Sequence, residues 1–169
     1  VEESLTVPNL QFLAGLLSGG GTLTLSTFYW EGGVMGGAGT TVIPNGISFS
    51  IAGPGPKGLE RTLQIDAGGT VTLDGAGDFE LSLGGNVQNA GTFEATVDST
   101  FKNMGGAGPF ANSGTFRKST ATGMTVFDSI ELSNTGLVEL VTGTLELSGG
   151  GTSDNTFDVA ASTTLRFTA

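Results

Sequence analysis

The chain contains no cysteine and no histidine. Disulfides, thiol nucleophiles, imidazole bases and the commonest zinc and copper ligands are thereby excluded together. Basic residues are scarce: six Lys and Arg face sixteen Asp and Glu, for a net charge of −10. A surface of that sign repels phosphate backbones, which argues against nucleic acid as a partner. No apolar run reaches about 18 residues, so no transmembrane segment is expected. The sequence starts at Val1 without Met or a positively charged leader and reads as a mature or excised segment. Any site must be built from carboxylates, hydroxyls, amides and aromatic faces, and neither a cofactor nor a metal is expected.

Glycine is abundant instead. Thirty glycines against five prolines, without a period of three, exclude collagen and indicate many tight turns. The 37% hydrophobic content of these 169 residues suffices for the core of a single domain spanning 1–169. Short alternating runs sit between the glycines: Leu63 and Ile65, Val71 and Leu73, Phe93 and Ala95, and Leu145 and Leu147 lie two apart with Thr, Gln or Glu between them. A period of two is that of a strand with one face buried. LSGGGT occurs at Leu17–Thr22 and again at Leu147–Thr152, and MGGAGT at Met35–Thr40 is a looser copy; each is a turn followed by a strand restart.

One phrase decides how such strands assemble. VQNAGTF (Val87–Phe93), FANSGTF (Phe110–Phe116) and LSNTGLV (Leu132–Val138) place Asn89, Asn112 and Asn134 at successive spacings of 23 and 22 residues. Strands of a sandwich need not share a phrase, whereas residues one period apart in a solenoid stack on each other and feel the same surroundings. The expected fold is therefore all-β, a right-handed parallel β-helix (β-solenoid) of roughly seven to eight irregular coils. Its alignment stacks Val87, Phe110 and Leu132 in one column, Asn89, Asn112 and Asn134 in a second, and Phe93, Phe116 and Val138 in a third. The amides can form a hydrogen-bonded ladder, and Gly91, Gly114 and Gly136 are expected at corners with a left-handed or similarly unusual backbone. Residues 1–17 read as a first coil or cap, with Pro8 breaking a strand. Residues 46–61, rich in Gly and carrying Pro54 and Pro56, read as a loop projecting from the solenoid.

The runs TFYWEGGVMGGAGTTVI (Thr27–Ile43), NSGTFRKS (Asn112–Ser119) and NTGLVELVTGTLELSGGGT (Asn134–Thr152) resemble glycine-rich repeats of large bacterial extracellular proteins, adhesin-like and autotransporter-like surface chains of the parallel β-helix type. The resemblance implies a prokaryotic, extracellular or cell-surface location and a structural or adhesive role. It supplies no catalytic residues.

Candidate sites are few. Asp66, Asp74 and Asp78 cluster in sequence, and a carboxylate pair could cleave glycosides; the plainer reading is that they solubilise a Gly-rich turn, and no enzymatic activity is expected. DGAGDFEL (Asp74–Leu81) is a defective single copy of a calcium-binding nonapeptide, with Phe79 where an Asp is needed. Tyr29 and Glu31 are the candidate ligand contacts, an outward aromatic beside a carboxylate, while Trp30 is expected in the core. Thr-x-Thr at Thr22–Thr24 and Thr70–Thr72 suggests a hydroxyl array of the ice-binding kind, broken elsewhere by Gln64, Glu94, Arg117 and Glu139. The leading expectation is a structural or adhesive segment that associates with itself head to tail or with flanking repeats of a longer chain. TTLRFTA (Thr163–Ala169) still reads as a strand where the sequence stops, inviting a further strand to pair. The alternative is a carbohydrate-binding module using residues 46–61 or the Tyr29 region to hold glycan.

Overall fold

The computed structural model describes residues 2–168, so Val1 and Ala169 of the expected 1–169 domain lie outside the described residues. Glycine turns divide the chain into short strands that wind through three faces. The first coil holds β1 (Leu5–Phe12), which runs along two faces, and β2 (Leu16–Leu17). The second repeats this with β3 (Thr22–Trp30) and β4 (Gly33–Met35). Each later coil places one strand on each face. The third has β5 (Thr40–Ile43), β6 (Ser48–Ile51) and β7 (Lys57–Leu59). The fourth has β8 (Thr62–Ile65), β9 (Thr70–Leu73) and β10 (Phe79–Leu81). The fifth has β11 (Asn86–Asn89), β12 (Thr92–Ala95) and β13 (Thr100–Asn103). The sixth has β14 (Phe110–Asn112), β15 (Thr115–Lys118) and β16 (Met124–Asp128). The seventh has β17 (Leu132–Asn134), β18 (Leu137–Leu140) and β19 (Thr144–Leu147), and the eighth β20 (Gly151–Ser153), β21 (Phe157–Val159) and β22 (Thr164–Phe167).

Every strand pairs in parallel with its counterparts in the adjacent coils. The long β1 and β3 join the first two faces into a 14-stranded sheet, and the third face is an 8-stranded sheet. This is the parallel β-solenoid expected from the repeat. The first-face column Leu5, Leu23, Thr41, Leu63, Val87, Phe110, Leu132 and Gly151 advances by 18 to 24 residues per coil. Unequal coils therefore hold one register, because corners absorb the differences in length.

Alternation fills the interior. In β8, β9, β12 and β18 the second and fourth residues are buried and the first and third are not. Phe79, Phe93, Phe101, Phe110, Phe116 and Phe127 meet at the centre, each fully buried and each contributing about 2 kcal/mol of apolar burial. Rings in register lie nearly parallel where Phe101 stacks on Phe127 (4.4 Å, 11°) and Phe28 on Phe49 (4.5 Å, 15°). Rings from different faces meet edge to face, as Phe93 with Phe110 (5.2 Å, 77°).

Three expectations are corrected. Residues 46–61 do not project: β6 and β7 pair with neighbours on both sides, and Ile51, Lys57 and Leu59 are buried. Pro54 and Pro56 sit exposed at the corner between these strands, where no ladder N–H is required. Nor does Pro8 break a strand. It lies inside β1, which has a strand neighbour on one side only, so a missing donor is tolerated.

Gly91, Gly114 and Gly136, finally, are absent from the glycines with positive φ. They are needed for closeness instead. A Cβ on Gly114 would overlap the carbonyl oxygen of Gly91, and one on Gly136 that of Gly114. Thr115 N–H donates to Gly91 O at 2.8 Å and Leu137 N–H to Gly114 O at 2.8 Å, so neither rung can retreat without losing a ladder bond. Gly114→Ala should lower stability by about 1 to 3 kcal/mol through this overlap, read from urea unfolding; an unchanged midpoint would show that the corner yields freely.

Candidate functional site

The repeated Asn residues end β11, β14 and β17 facing inward, each 1% exposed. Asn89 Nδ2 donates to Asn112 Oδ1 at 2.7 Å and Asn112 Nδ2 to Asn134 Oδ1 at 2.7 Å. The second amide proton of Asn89 reaches Thr115 O (2.8 Å), and that of Asn112 reaches Leu137 O (2.9 Å), tying each strand end to the strand that follows in the next coil. Asn134 Nδ2 continues to Ser153 Oγ at 3.0 Å, a member that the Asn phrase did not reveal. At the other end Asn89 pairs in register with Ile65, and its Oδ1 is buried without a protein partner. The ladder is thus directional and internal. Both amide protons of Asn112 are committed to the protein, which leaves it no donor for a ligand.

Three of the six basic residues are also inside, a feature the sequence reading missed. Lys118 follows Phe116 by two, so alternation turns it inward between Ala95 and Leu140. Its Nζ leaves the core to meet Asp98 Oδ1 at 2.7 Å, while Asp98 Oδ2 accepts Gly123 N–H at 3.1 Å. Arg61 is 2% exposed and donates from Nη2 to Gly21 O at 2.7 Å. Lys57 occupies the Phe79 column and donates from Nζ to Gly53 O at 2.7 Å. Burial holds its ammonium below the ordinary pKa, with the nearby Asp74 carboxylate opposing part of that shift. With these three bases withdrawn, the outer surface is more acidic than composition alone indicates.

The remaining candidates are scattered. Trp30 is fully buried, with Nε1 donating to Gly32 O at 3.1 Å. Tyr29 points outward on the second face, 47% exposed, and lines a depression with Asn9, Gln11 and Thr27. Glu31 lies past the next corner and lines a different depression with Pro54 and Glu80. Tyr29 and Glu31 therefore do not share a site. Asp66 follows β8 at one corner and accepts from Gln64 Nε2 (2.7 Å); Asp74 follows β9 at the next and accepts from Ser50 Oγ (3.0 and 3.1 Å); Asp78 precedes β10. Among the described residues no group of three His, Cys, Asp or Glu side chains could hold a metal ion. Among the described residues no helix is long and apolar enough to cross a membrane.

Large apolar side chains are exposed on the flank at Leu83, Met104 and Met124 and also at both ends of the solenoid. Leu5, Leu13 and Leu16 are exposed at one end, at 48%, 58% and 66%, and Val159 and Phe167 at the other, at 39% and 66%. At the latter end a depression of about 230 Å³ is lined by Leu132, Leu147, Phe157 and Phe167. Comparison with protein-family models, with curated proteins and with solved structures finds no significant match.

Two outcomes follow from the inward polar groups. Asn112→Ala should cost about 1 to 3 kcal/mol, because it removes the acceptor of Asn89 and the donor to Asn134 together; an unchanged urea midpoint would contradict a continuous ladder. Lys57 with a lowered folded pKa binds fewer protons folded than unfolded, so its contribution to stability rises as pH climbs from that value through the ordinary 10.5. Relative to Lys57→Met, the wild type should gain stability between neutral and alkaline pH, whereas a constant difference in urea midpoint would show an unshifted lysine.

Proposed function

We propose that the chain is a structural element of an extracellular, bacterial surface assembly, extended along its axis by stacking further β-coils on its ends. The observation that carries this reading is the condition of the terminal coils. Among the described residues, the inner columns that pass through the molecule end in partly exposed side chains in both terminal coils. One column runs from Leu10 through Phe28, Phe49, Val71, Phe93, Phe116 and Val138 to Phe157, and its neighbour from Phe12 to Val159. Leu10 against Phe157, Phe12 against Val159 and Leu5 against Gly151 would be further steps of the same columns, with apolar meeting apolar and large meeting small. The backbone of the last coil likewise pairs on one side only, and an unpaired parallel edge templates another strand. A second copy and a flanking coil of a longer chain present the same chemistry to that edge. A head-to-tail junction of this type does not close on itself, so repetition yields a filament or a stalk.

The 169-residue chain in solution tests the reading. Sedimentation velocity should show end-to-end species that grow with concentration, and electron microscopy should show rods of one width and varied length. Phe167→Asp, in the terminal coil, should abolish them while circular dichroism still shows a folded monomer. Monodisperse monomers at the highest soluble concentration would contradict axial stacking.

A further inference from the structure

The second face divides into two halves of different chemistry. In its last four coils the outward positions carry Thr92 and Glu94, Thr115 and Arg117, Leu137 and Glu139, and Thr156 and Asp158. Arg117 stands in register between Glu94 and Glu139, its Nε 3.2 Å from Glu139 and 3.9 Å from Glu94, and Asp158 follows Glu139 in the last coil. In its first four coils no outward position is charged. One outward column reads Gln11, Tyr29, Ser50 and Thr72, and the other begins with Asn9 on Thr27 and continues with Ser48 on Thr70. The outward column of the first face, Thr24, Val42, Gln64, Gln88, Ala111 and Ser133, is uncharged as well, and what sets the second-face run apart is that it also carries an aromatic ring.

Tyr29 stands within that run. Its two neighbours in the strand, Phe28 and Trp30, face the core and are 1% and 0% exposed, so the fold does not require a ring at position 29. Apart from the terminal Phe167 it is the only strongly exposed aromatic ring among the described residues. A shallow depression of about 360 Å³ lies against it, lined by Asn9, Leu10, Gln11 and Thr27. An exposed ring offers a face to an apolar C–H surface, while an amide side chain both donates and accepts, as does a pair of adjacent hydroxyls on a sugar ring. Strands spaced about 4.8 Å apart carry these groups in step along the axis, close to the length of one pyranose unit. Asp74, held at the rim by Ser50 Oγ, and the acidic remainder of the face disfavour anionic chains.

We propose that this surface, centred on Tyr29 with Asn9, Gln11 and Thr27 and continuing over Ser50 and Thr72, binds an uncharged polysaccharide. The sugar rings stack on Tyr29 and the strand of sugars runs along the solenoid axis. The site adjoins the first coil through Leu10, and its binding is read at the outward side chains of Tyr29 and Gln11, apart from the stacking read at Phe167 at the opposite end.

Affinity electrophoresis of the full chain through gels containing laminarin, mannan or polygalacturonate is the test, with calorimetry on the oligosaccharides of whichever retards it. A neutral glycan should retard the protein and polygalacturonate should not. Tyr29→Ala should weaken binding about tenfold and Gln11→Ala should weaken it too, while Tyr29→Phe retains most of it and Glu139→Gln, on the charged half, leaves it unchanged. Because Tyr29 faces outward, circular dichroism and melting temperature should be the same for Tyr29→Ala and wild type. Retardation by no neutral glycan, retardation indifferent to Tyr29→Ala, or equal binding of polygalacturonate would overturn the proposal.

Discussion

An in-register parallel ladder sets the spacing between coils at about 4.8 Å, and every side chain must then accept the residue one coil away as its nearest neighbour. Groups that gain from stacking on their own kind are used like on like. Phenylalanine stacks on phenylalanine at Phe28 and Phe49 and at Phe101 and Phe127, and asparagine bonds to asparagine from Asn89 to Asn134. Glycine sits on glycine from Gly69 through Gly91 and Gly114 to Gly136, where nothing larger fits between the carbonyls. Charge cannot be treated that way, since like charges directly opposite repel. Two runs of the outer columns accordingly alternate sign, Glu94, Arg117 and Glu139 on one face and Glu80, Lys102 and Asp128 on another, and the first of them ends in a like-charged step from Glu139 to Asp158 in the terminal coil.

The same constraint explains where polar groups enter the interior. An inward lysine can be held only where its Nζ reaches a corner. Lys118 does so at Asp98, beside the small Ala95, and Lys57 does so at the Gly53 carbonyl. The amide ladder needs no such exit, because each coil satisfies the one before it. Its weak point is its origin at Asn89, whose Oδ1 meets an isoleucine column. A solenoid of this construction has flanks free to vary and ends that cannot be neutral: the flanks can carry a binding surface or none, while each end exposes the columns that hold the rest together.

Much of this was legible in the sequence because the Asn-x-Gly phrase recurs at nearly constant spacing where coils are most alike. The three columns read from it match the registers that pair Val87 with Phe110 and Leu132, and Phe93 with Phe116 and Val138. Outside that region the coils change length, and register could not be carried across by counting. The uncharged half of the second face was therefore hidden: Gln11, Tyr29, Ser50 and Thr72 are neighbours only once strand pairing is known. Residues 46–61 misled because proline density signals irregular backbone, yet both prolines fit one tight corner between regular strands. Gly91, Gly114 and Gly136 misled for another reason. Glycine serves positive φ and close approach alike, and a sequence does not distinguish them. Lys118 was recoverable, since alternation from Phe116 points it inward.

If each coil is held mainly by the coils beside it, protection must follow position along the axis. Native-state hydrogen exchange measures this most directly. Strand amides of β11 to β16, around the phenylalanine cluster and the amide ladder, should exchange slowest, with protection falling toward β1 and β2 in one direction and β20 to β22 in the other. Uniform protection across all coils, or greatest protection in a terminal coil, would contradict a fold whose stability is passed from neighbour to neighbour.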